Sequence, residues 1–494
     1  MSEVLEKYDV VIGLEIHAQC NTVSKMFCAC DNDSFGKEPN INVCPICMGF
    51  PGMLPAVNEE AVKKGVKTAL ALGCSIPKMS KFDRKNYFYP DLPKAYQISQ
   101  YDEPLAVEGE VEIEIGGEVD EHGNVAGPPE YRTIGIERLH LEEDAGKLTH
   151  VSTGTLCDYN RSSTPLMEIV SKPDMFSVRE ASAYAQEMQK IIRYIGSSSA
   201  DMEKGMMRFD INVSLKPKGR EELGTKVEIK NVNSFRSLER VLEYEIERQS
   251  ALLDEGKADE IVQETRGWDD ERGTTESQRT KEGASDYRYF PEPDLPPLIM
   301  DEAVVEKLKS ELPELPVTKK KRFMNEYGLN FEYATLLVSD PNLAEFFEQT
   351  LERSESVPKK VASMIINILS ALLEESRISI LDSKVTPEIL ASVLSMVEKG
   401  EISNGSAKEV IEEIFQNGGD PEKIVEEKGL EQVSDTGFIE DLCKKVLEAN
   451  PDAVEDIKAG KDRAFGFLVG QVMKESKGQA NPGMVTKVFR KLIG

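Results

Sequence analysis

Alternating polar and apolar residues place several side chains that can bind metal or phosphate on one face of predicted strands. In the segment 10–19 every second residue is apolar, so Glu15 and His17 lie on the opposite face. Two later segments, 207–215 and 225–231, alternate in the same way. Their polar faces carry Arg208, Asp210, Asn212 and Ser214 in the first, and Lys226, Glu228 and Lys230 in the second. Each segment is predicted to be a strand with one apolar and one polar face.

A fourth predicted strand, near 134–141, breaks this alternation. Its apolar parity changes between Ile136 and Leu139, which predicts a β-bulge, and it ends in Glu142, Glu143 and Asp144. If the four strands meet in one sheet, their polar faces present carboxylates for a divalent metal beside lysine and arginine side chains. Mg²⁺ binds carboxylates and bridges nucleotide phosphates, while such cations neutralise a transferred phosphoryl group. This set of residues therefore suits phosphoryl transfer.

Polar faces on half-buried sheets often meet only water, and the sequence contains an example. Glu110, Glu112 and Glu114 alternate with apolar residues and precede Gly116 and Gly117, which predicts a solvated hairpin arm. Convergence of the four strands stays an assumption at this level. The sequence has neither a Walker-type phosphate loop nor the dinucleotide-binding glycine fingerprint, so an ATP site would have to be of the sheet-borne carboxylate type.

Two close cysteine pairs form a second chemical signal. Cys28 and Cys30 are followed by Cys44 and Cys47 in a Cys-Pro-Ile-Cys-Met-Gly turn. Four thiolates can hold Zn²⁺ in a tetrahedron, and such a closed site would stiffen the segment 27–50 rather than do chemistry. The alternative is a loop that packs four reduced thiols. The other cysteines stand alone and are predicted to be ordinary buried thiols: Cys20, Cys74, Cys157 and Cys443.

The elements that position these residues form a predicted α+β body followed by an all-helical tail. The body is strand-rich to about residue 290 and contains two longer helices, 58–72 and 177–195. A proline-dense segment, 291–316, ends it. In the tail, an N-cap followed by proline starts helices at Thr386 and Asp420. The predicted domains are 1–295, a proline-rich linker with the first helices over 296–340, and a helical tail over 341–494.

Composition indicates an ordinary globular protein. The 494 residues are 40% hydrophobic and 30% charged, with no bilayer-length apolar run and an acidic N-terminus without an export signal, so a cytoplasmic location is expected. The net charge of −28 opposes nucleic acid binding unless cations cluster locally. Two sets could form basic faces or only solvated helix faces: Lys319, Lys320, Lys321 and Arg322, and then Lys474, Lys477, Lys487, Arg490 and Lys491.

Long segments of the chain, in the correct order, resemble one known family. They are VIGLEIHAQ from Val11, PGMLPAVN from Pro51, KFDRKNYFYPDLPKAYQISQ from Lys81, LHLEEDAGK from Leu139, DYNRSSTPLMEIV from Asp158, FDINVSL from Phe209, TKVEIKNVNS from Thr225, YRYFPEPDLPP from Tyr287 and the tail from Asp462. Over nearly the whole length the chain is similar to the GatB family, the B-subunits of the aspartyl/glutamyl-tRNA amidotransferases. It resembles the longer, related E-subunits less, because no inserted domain precedes its tail, and it has no Ser/Lys amidase signature.

The resemblance implies an N-terminal cradle domain of the glutamine synthetase and guanido-kinase type, with an antiparallel sheet, followed by helical and YqeY-like domains that hold tRNA. It implies that ATP phosphorylates the side-chain carboxylate of Asp-tRNA(Asn), Glu-tRNA(Gln) or both. Ammonia made from glutamine by a partner then displaces the phosphate and forms the amide. The implied partners are tRNA and the two other members of a heterotrimer, an amidase and a small third subunit. The implied cofactors are ATP and Mg²⁺, with a structural Zn²⁺ at the cysteines.

Site residues follow from the resemblance by matching motifs. The implied catalytic and magnesium-site residues are Glu15, His17, Glu143, Asp210 and Glu228, with Glu142 as their neighbour or an alternate ligand. Contacts to phosphate or acyl phosphate are expected from Lys230, Arg161, Arg84 and Lys85. Tyr87, Tyr89 and Tyr96 either line the aminoacyl pocket or only pack.

Two other functions stay open from the residues alone. A noncatalytic tRNA-binding scaffold would account for the basic tail. An ATP-dependent amide ligase that acts on a small molecule would account for the carboxylate faces without any tRNA.

Overall fold

A computed structural model of the protein describes residues 2–493 except 117, 120–124, 127–128, 281–286, 433–435, 459–461, 477–479 and 481. Gly117 of the predicted hairpin turn and Lys477 of the predicted basic set lie outside the described residues. The chain divides into two compact units, Met1–Thr318 and Lys319–Gly494. Within the part of the chain that the structure describes, every helix is too short or too polar to span a lipid bilayer.

The first unit is built around one large sheet. Its strands are β1 (Tyr8–Gln19), β2 (Met79–Ser80), β3 (Asp83–Asn86), β4 (Tyr96–Ser99), β5 (Ala106–Ile115), β6 (Glu118–Val119), β7 (Val125–Ala126), β8 (Glu130–Glu143), β9 (Lys147–Val151), β10 (Gly154–Asp158), β11 (Pro165–Ser171), β12 (Met207–Pro217), β13 (Val227–Val232), β14 (Glu264–Asp269), β15 (Thr274–Thr280), β16 (Phe290–Pro291) and β17 (Leu298–Ile299). Eight of them pair in the order β15-β14-β13-β12-β1-β11-β8-β5. The rest form small sheets, β16-β3-β4, β17-β2, β9-β10 and β6-β7. The four predicted strands are confirmed as β1, β12, β13 and β8, and all four belong to the large sheet.

The helices of the first unit are α1 (Ser2–Lys7), α2 (Glu59–Ala71), α3 (Val178–Tyr194), α4 (Phe235–Asp254) and α5 (Glu302–Ser310), with a 3₁₀ turn at Ala258–Glu260. The two predicted helices are confirmed as α2 and α3. Asn58 and Ser177 cap them by accepting hydrogen bonds from first-turn backbone N–H groups. α4 was not predicted, although its buried residues repeat at helical spacing: Leu238, Val241, Leu242 and Ile246.

One strand pair corrects the expectation of an antiparallel sheet. β13 and β14 run parallel, whereas the other neighbours in the large sheet are antiparallel. Parallel neighbours need a long crossover, and α4 supplies it between these two strands. Because α4 was missed in the sequence, the parallel pair was missed as well.

The hydrophobic core of the first unit lies on one face of the large sheet. Ile12, Leu14 and Ile16 of β1 are fully buried in it. α2, α3 and α4 pack against this sheet and supply the facing side chains. Truncating one such residue, as in Leu14→Ala, would destabilise the fold by roughly 2–5 kcal/mol. Since side chains alternate along a strand, burial of this face directs the other residues of β1 to the opposite face.

β8 contains the predicted bulge. Arg138 pairs with Val170 of β11, but Ile136 pairs with the next residue, Ser171, so Glu137 is the extra residue. The inserted residue changes which face the rest of the strand presents. The side chains that now share the polar face are Arg138, His140 and Glu142.

The second unit is helical. Its described helices are α6 (Pro316–Asn325), which spans the division, α7 (Phe331–Leu337), α8 (Pro341–Arg353), α9 (Pro358–Met364), α10 (Ser370–Ser376), α11 (Pro387–Glu398), α12 (Asn404–Asn417), α13 (Pro421–Lys428), α14 (Thr436–Ala449), α15 (Pro451–Lys458), α16 (Asp462–Glu475) and α17 (Pro482–Ile493). A π-helical turn at Ile365–Leu369 joins α9 to α10, and a 3₁₀ turn spans Ile380–Asp382. The predicted starts are confirmed, because Thr386 and Asp420 cap α11 and α13. One core extends from Phe323 to Val425 and another from Ile439 to Phe489.

The two basic sets of the second unit differ in their surroundings. Lys319 and Arg322 bond to Glu348 at 2.8 and 2.7 Å, and buried Lys320 lies 3.7 Å above the ring of Phe331. These cations stabilise the local packing rather than form an open face. On α17, by contrast, three cations are exposed at helical spacing: Lys487, Arg490 and Lys491.

Candidate active site

The polar face of the large sheet consists of rows of facing side chains, because β12, β1, β11 and β8 are neighbours. One row is made of successive cross-strand partners, Arg208, His17, Glu168 and His140. The adjoining row is Asp210, Glu15, Val170 and Arg138. In a third row, β13 places Glu228 beside Asn212, which faces Gly13. The strands therefore bring most of the predicted chemical residues to one place.

Three carboxylates form the first group, which we call the triacid cluster: Glu15, Asp210 and Glu228. One oxygen from each lies within 4.8 Å of the others. Lys230 Nζ lies 2.8 Å from Asp210 Oδ2 and 3.4 Å from Glu228 Oε1. Asn212 Nδ2 donates a hydrogen bond of 2.9 Å to Glu15 Oε1. One cation and one amide thus support three acids from three neighbouring strands.

Electrostatics show that the triacid cluster fits a divalent cation. Burial raises the pKa of Glu15, and the charges of Glu168, Asp210 and Glu228 raise it further, against the hydrogen bond from Asn212. A bound dication would relieve the repulsion between these acids. Their donor atoms are oxygens, which are the ligands that Mg²⁺ and Mn²⁺ prefer.

The second group, which we call the histidine cluster, contains His17, Glu142 and Glu168. One ligand atom from each lies within 4.8 Å of the others. His17 Nε2 is 3.1 Å from Glu168 Oε2 and 4.0 Å from Glu142 Oε1. All three residues are buried, and among the described residues His17 Nδ1 has no hydrogen-bond partner. The two clusters adjoin, because Glu15 and His17 are two residues apart on one face of β1, a spacing of about 7 Å.

His140 lies on the β8 side of the histidine cluster. Its Nε2 is 3.7 Å from Glu142 Oε2 and 3.5 Å from Glu168 Oε2. Burial lowers the pKa of His140, but Glu168 and Glu142 outweigh burial and raise the pKa to about 9. For Glu168, burial acts to raise the pKa, but His140 and His17 outweigh burial and hold the pKa well below its usual range. His140 is therefore protonated at neutral pH and lies beside the ionised carboxylate of Glu168.

Lys85 and three tyrosines lie beside the histidine cluster. Lys85 Nζ is 5.2 Å from the ring centre of Tyr287 and 6.0 Å from that of Tyr87, and Tyr287 meets Tyr289 edge to face at 6.1 Å. Desolvation lowers the pKa of Lys85, but Glu142 and the nearby tyrosines outweigh this and raise it well above its usual value. A lysine that stays charged between aromatic walls can hold an anionic group.

Asp144 anchors two arginines at the end of β8. Arg208 lies 3.3 Å from Asp144 Oδ1, and Arg161 Nε lies 3.5 Å from Asp144 Oδ2. Arg161 also donates to the carbonyl oxygens of the two residues after Asp144, so it braces that turn. Arg208 is the partner of His17 across β1 and β12 and therefore faces the clusters.

Glu143 does not join either cluster, contrary to the expectation from the sequence. Its Oε2 lies 2.5 Å from Lys94 Nζ, and its Oε1 accepts a hydrogen bond from the backbone N–H of Ile98. Glu142 and Glu143 are consecutive in β8, so their side chains point to opposite faces of the strand. Glu142 takes the position that was expected for Glu143.

Arg84 also lies apart from the clusters. It donates to both carboxylate oxygens of Glu292, at 2.7 and 2.8 Å, and its guanidinium lies 4.4 Å from the ring centre of Tyr96. Arg84 directly precedes Lys85 in β3, so the two side chains point to opposite faces of that strand. Three tyrosines were expected at an aminoacyl pocket. Tyr87 meets Tyr287 beside Lys85, Tyr96 packs against Arg84, and Tyr89 is 57% exposed.

Two residues of this region, Glu168 of the histidine cluster and its neighbour His140, were not predicted from the sequence. A signal for each was present. Glu168 is a single acid in the otherwise apolar segment PLMEIV, and the parity change in β8 moves His140 to the face of Glu142. An isolated charge inside a buried strand needs a partner, which marks it as a candidate.

The four cysteines of the predicted zinc loop converge. Their sulfur atoms lie within 4.8 Å of one another, and all eight cysteines of the chain, each of them described, are free thiols. The backbone N–H of Cys44 donates to Cys47 Sγ at 3.1 Å. A hydrogen bond from Cys28 is the main reason that the pKa of Cys47 falls to about 5. Four sulfur donors at this spacing fit a tetrahedral Zn²⁺.

Carboxylate clusters flanked by lysine and arginine on one face of a mixed sheet are a site that could hold a divalent metal beside phosphate. Comparison with known proteins identifies the family. Residues 10–306 match the GatB/GatE catalytic domain, and residues 345–493 match the GatB domain. The chain belongs to the GatB family.

Full-length relatives, each named as the B-subunit of the aspartyl/glutamyl-tRNA(Asn/Gln) amidotransferase, agree with the domain matches. The chain is 49% identical over 491 residues to the protein of Carboxydothermus hydrogenoformans, covering 98% of this chain and 99% of that protein. The relative from Persephonella marina is 48% identical over 487 residues, which cover 99% of this chain and all of that protein. The relative from Crocosphaera subtropica is 47% identical over 497 residues, with 99% and 98% covered.

Proposed function

We propose that this chain is the GatB component of an aspartyl/glutamyl-tRNA amidotransferase and that it uses ATP to activate the side-chain carboxylate of Asp-tRNA(Asn), Glu-tRNA(Gln) or both. The observation that carries the proposal is the meeting of the triacid and histidine clusters with Lys230 on one face of the large sheet, where Lys85 of β3 lies near enough to Glu142 for that charge to raise its pKa. Membership of the GatB family supplies the substrate class.

A carboxylate is a poor electrophile, so it must be activated before ammonia can attack. In the first step, a carboxylate oxygen of the aminoacyl group attacks the γ-phosphorus, and the bond to the bridging oxygen breaks to release ADP. In the second step, ammonia attacks the carbonyl carbon, phosphate leaves, and a proton is lost from nitrogen. The products are the amide on tRNA, ADP and phosphate.

The residues divide these tasks by charge. The two clusters would hold Mg²⁺, which when bound neutralises the phosphate oxygens and orients them for in-line transfer. Lys230, held by Asp210, offers a fixed positive charge for the same oxygens. Lys85, with Tyr87 and Tyr287 beside it, suits the substrate carboxylate. Arg208, the cross-strand partner of His17, adds a third positive group.

Other parts of the chain stabilise the structure or bind partners. The cysteine loop holds a structural Zn²⁺, and the domain around the large sheet is a cradle of the glutamine synthetase type. The predicted limits, 1–295, 296–340 and 341–494, stay part of the proposal. The helical tail binds tRNA through the exposed cations of α17. The chain works in the cytoplasm in a heterotrimer whose other members are an amidase, which supplies ammonia, and a small third subunit.

The test is a reconstitution of the full chain with its partner subunits, glutamine, ATP, Mg²⁺ and charged tRNA. Amide formation on Asp-tRNA(Asn) or Glu-tRNA(Gln) is expected, and Glu15→Gln and Asp210→Asn should abolish it along with acyl phosphate formation. Amide formation that persists in both variants would support a noncatalytic scaffold instead. ATP turnover on a small acid without tRNA would support a free-standing ligase.

A further inference from the structure

Lys25, just before the first cysteine pair, is enclosed completely by the fold. Its side chain is 0% exposed. Lysine is almost never fully buried without a partner of opposite charge, because removing an ammonium group from water is unfavourable. The position of Lys25 therefore indicates a negative group nearby.

The described carboxylates do not supply that group. Within the part of the chain that the structure describes, the ammonium of Lys25 donates to the backbone carbonyl of Asn42, at 2.8 Å, and forms no ion pair with an aspartate or glutamate. Asp31, the acid nearest in sequence, pairs with Lys37 instead, at 2.6 Å. A carbonyl oxygen satisfies one hydrogen bond of the ammonium group but leaves its charge uncompensated.

Lys25 links the two cysteine pairs. Its backbone N–H donates to the carbonyl of Cys30 in the first pair, at 3.0 Å. Its side chain is bonded to Asn42, two residues before Cys44 of the second pair. The buried ammonium group therefore lies within the loop on which the four sulfur atoms converge.

The sulfur atoms can supply the missing negative charge. A hydrogen bond from Cys28 is the largest influence that lowers the pKa of Cys47, and the charge of Lys25 lowers it further, so the ammonium group lies near that sulfur. Four thiolates carry twice the charge of the Zn²⁺ that they would bind, so a loaded site keeps a net negative charge. Because Cys28 and Cys47 are buried, an enclosed cation beside them lowers the cost of that excess charge.

We propose that Lys25 is the counter-ion of the cysteine site and that its charge, by offsetting part of the thiolate charge, strengthens the binding of Zn²⁺. The inference rests on the proposed structural zinc and adds a residue outside the four ligands on which retention of the metal depends. The competing role is purely structural, in which the hydrogen bond to Asn42 holds the loop in place whether or not metal is bound.

Two neutral substitutions in the full-length chain separate these roles. Lys25→Gln removes the charge but keeps a donor for the carbonyl of Asn42, whereas Lys25→Met removes both. Competition with a zinc chelator of known affinity gives the dissociation constant for Zn²⁺. Both variants should bind Zn²⁺ roughly 10- to 100-fold more weakly, as is usual when a group that supports metal ligands is lost.

Circular dichroism melting of the zinc-loaded and metal-stripped chains gives a second readout. Loss of the counter-ion should reduce the rise in melting temperature that zinc produces, because that rise depends on the affinity of the folded chain for the metal. A purely structural role would lower the melting temperatures of both forms alike and leave the rise unchanged. The melts also check folding, and Lys25→Gln decides the matter if Lys25→Met does not fold.

Lys37→Met is the matched control. Lys37 lies on the same loop, but its side chain is partly exposed and already paired with Asp31, so zinc affinity should stay within about twofold of wild type. Wild-type affinity in folded Lys25→Gln, or an equal loss in Lys37→Met, would overturn the counter-ion role and leave the zinc site standing. A wild-type chain that binds no zinc would instead overturn the zinc site, and the role of Lys25 with it.

Discussion

Two strands of the large sheet carry the same sequence pattern and end with different chemistry. In β5, Glu110, Glu112 and Glu114 alternate with buried Val111 and Ile113, and in β1 Glu15 and His17 alternate with buried isoleucine and leucine. β5 is the last strand at its edge, whereas β1 has neighbours on both sides. Position in the sheet, rather than the pattern, separates the two.

The neighbours explain why. Glu110, Glu112 and Glu114 face Gly135, Thr133 and Tyr131 of β8, none of which is an acid. Glu15 has Asp210 beside it, with Glu228 one strand further and Glu168 in the adjoining row. An alternating face therefore becomes a metal-binding face only where flanking strands add ligands within reach of the same point.

The largest effect is expected from removing a charge in the triacid cluster. Glu15→Gln and Asp210→Asn keep side-chain size but weaken metal and phosphate binding, so the rate of amide formation should fall by about 100-fold or more. Single-turnover assays with saturating ATP and charged tRNA measure this. A rate within about threefold of wild type for both variants would remove the distinction between the two strands.

Two adjacent glutamates test which residues of β8 point to the polar face of the sheet. Glu142→Gln should lower the rate about 10- to 100-fold and raise the Mg²⁺ concentration needed for half-maximal activity, because Glu142 belongs to the histidine cluster. Glu143→Gln weakens the ion pair with Lys94 and should change thermal stability without changing the Mg²⁺ requirement. An equal Mg²⁺ shift in both variants would contradict the opposite-face assignment.

The clustered cysteines and the isolated ones differ in the same way, because only the clustered ones have further ligands nearby. Cys28→Ser should reduce zinc from about one ion per chain to near zero and lower the melting temperature by several degrees, since a structural site contributes folding energy. Cys443→Ser, at a buried cysteine of the second unit, should keep the zinc. Elemental analysis after dialysis with a reductant gives the metal content. A zinc content near zero in the wild-type chain would support the alternative, a loop that packs four reduced thiols.

Exposed cations on α17 should give a moderate effect on tRNA binding. Lys487→Glu and Arg490→Glu should each weaken tRNA affinity several-fold and reduce the slope of log affinity against log salt by about 0.7–0.9 for each phosphate that the variant no longer binds. ADP affinity should stay unchanged. Lys408→Glu, an exposed lysine near Glu412 on α12, is the control. A salt slope identical to wild type would show that α17 makes no phosphate contact.

The smallest effect is expected at the edge strand. Glu112→Gln should leave the rate of amide formation unchanged and alter stability by no more than about 0.5 kcal/mol, as is usual for surface substitutions. Denaturant titration and the amidation assay check both quantities. A loss comparable to that of Glu15→Gln would mean that the edge of the sheet also takes part in the chemistry.

Much of the site followed from strand alternation. The faces of β1, β12 and β13 and the bulge in β8 were legible because burial of one face fixes the other. The errors came from contacts between distant segments. Glu168 looked like one charge in an apolar strand until β11 proved to lie between β1 and β8. Glu143 was expected at the site ahead of Glu142 until the register of β8 separated them.

The sequence by itself determined which side chains share a face, where four of the helices begin, and that four cysteines could meet, because these properties depend on short spacings and on the direction of successive side chains. The tertiary structure decided which faces meet. Strand order sets the neighbours of Glu15, Glu168 and Gly13, and that order results from packing the whole sheet against α2, α3 and α4. Short spacings do not determine long-range packing of this kind, because it depends on which distant segments become neighbours.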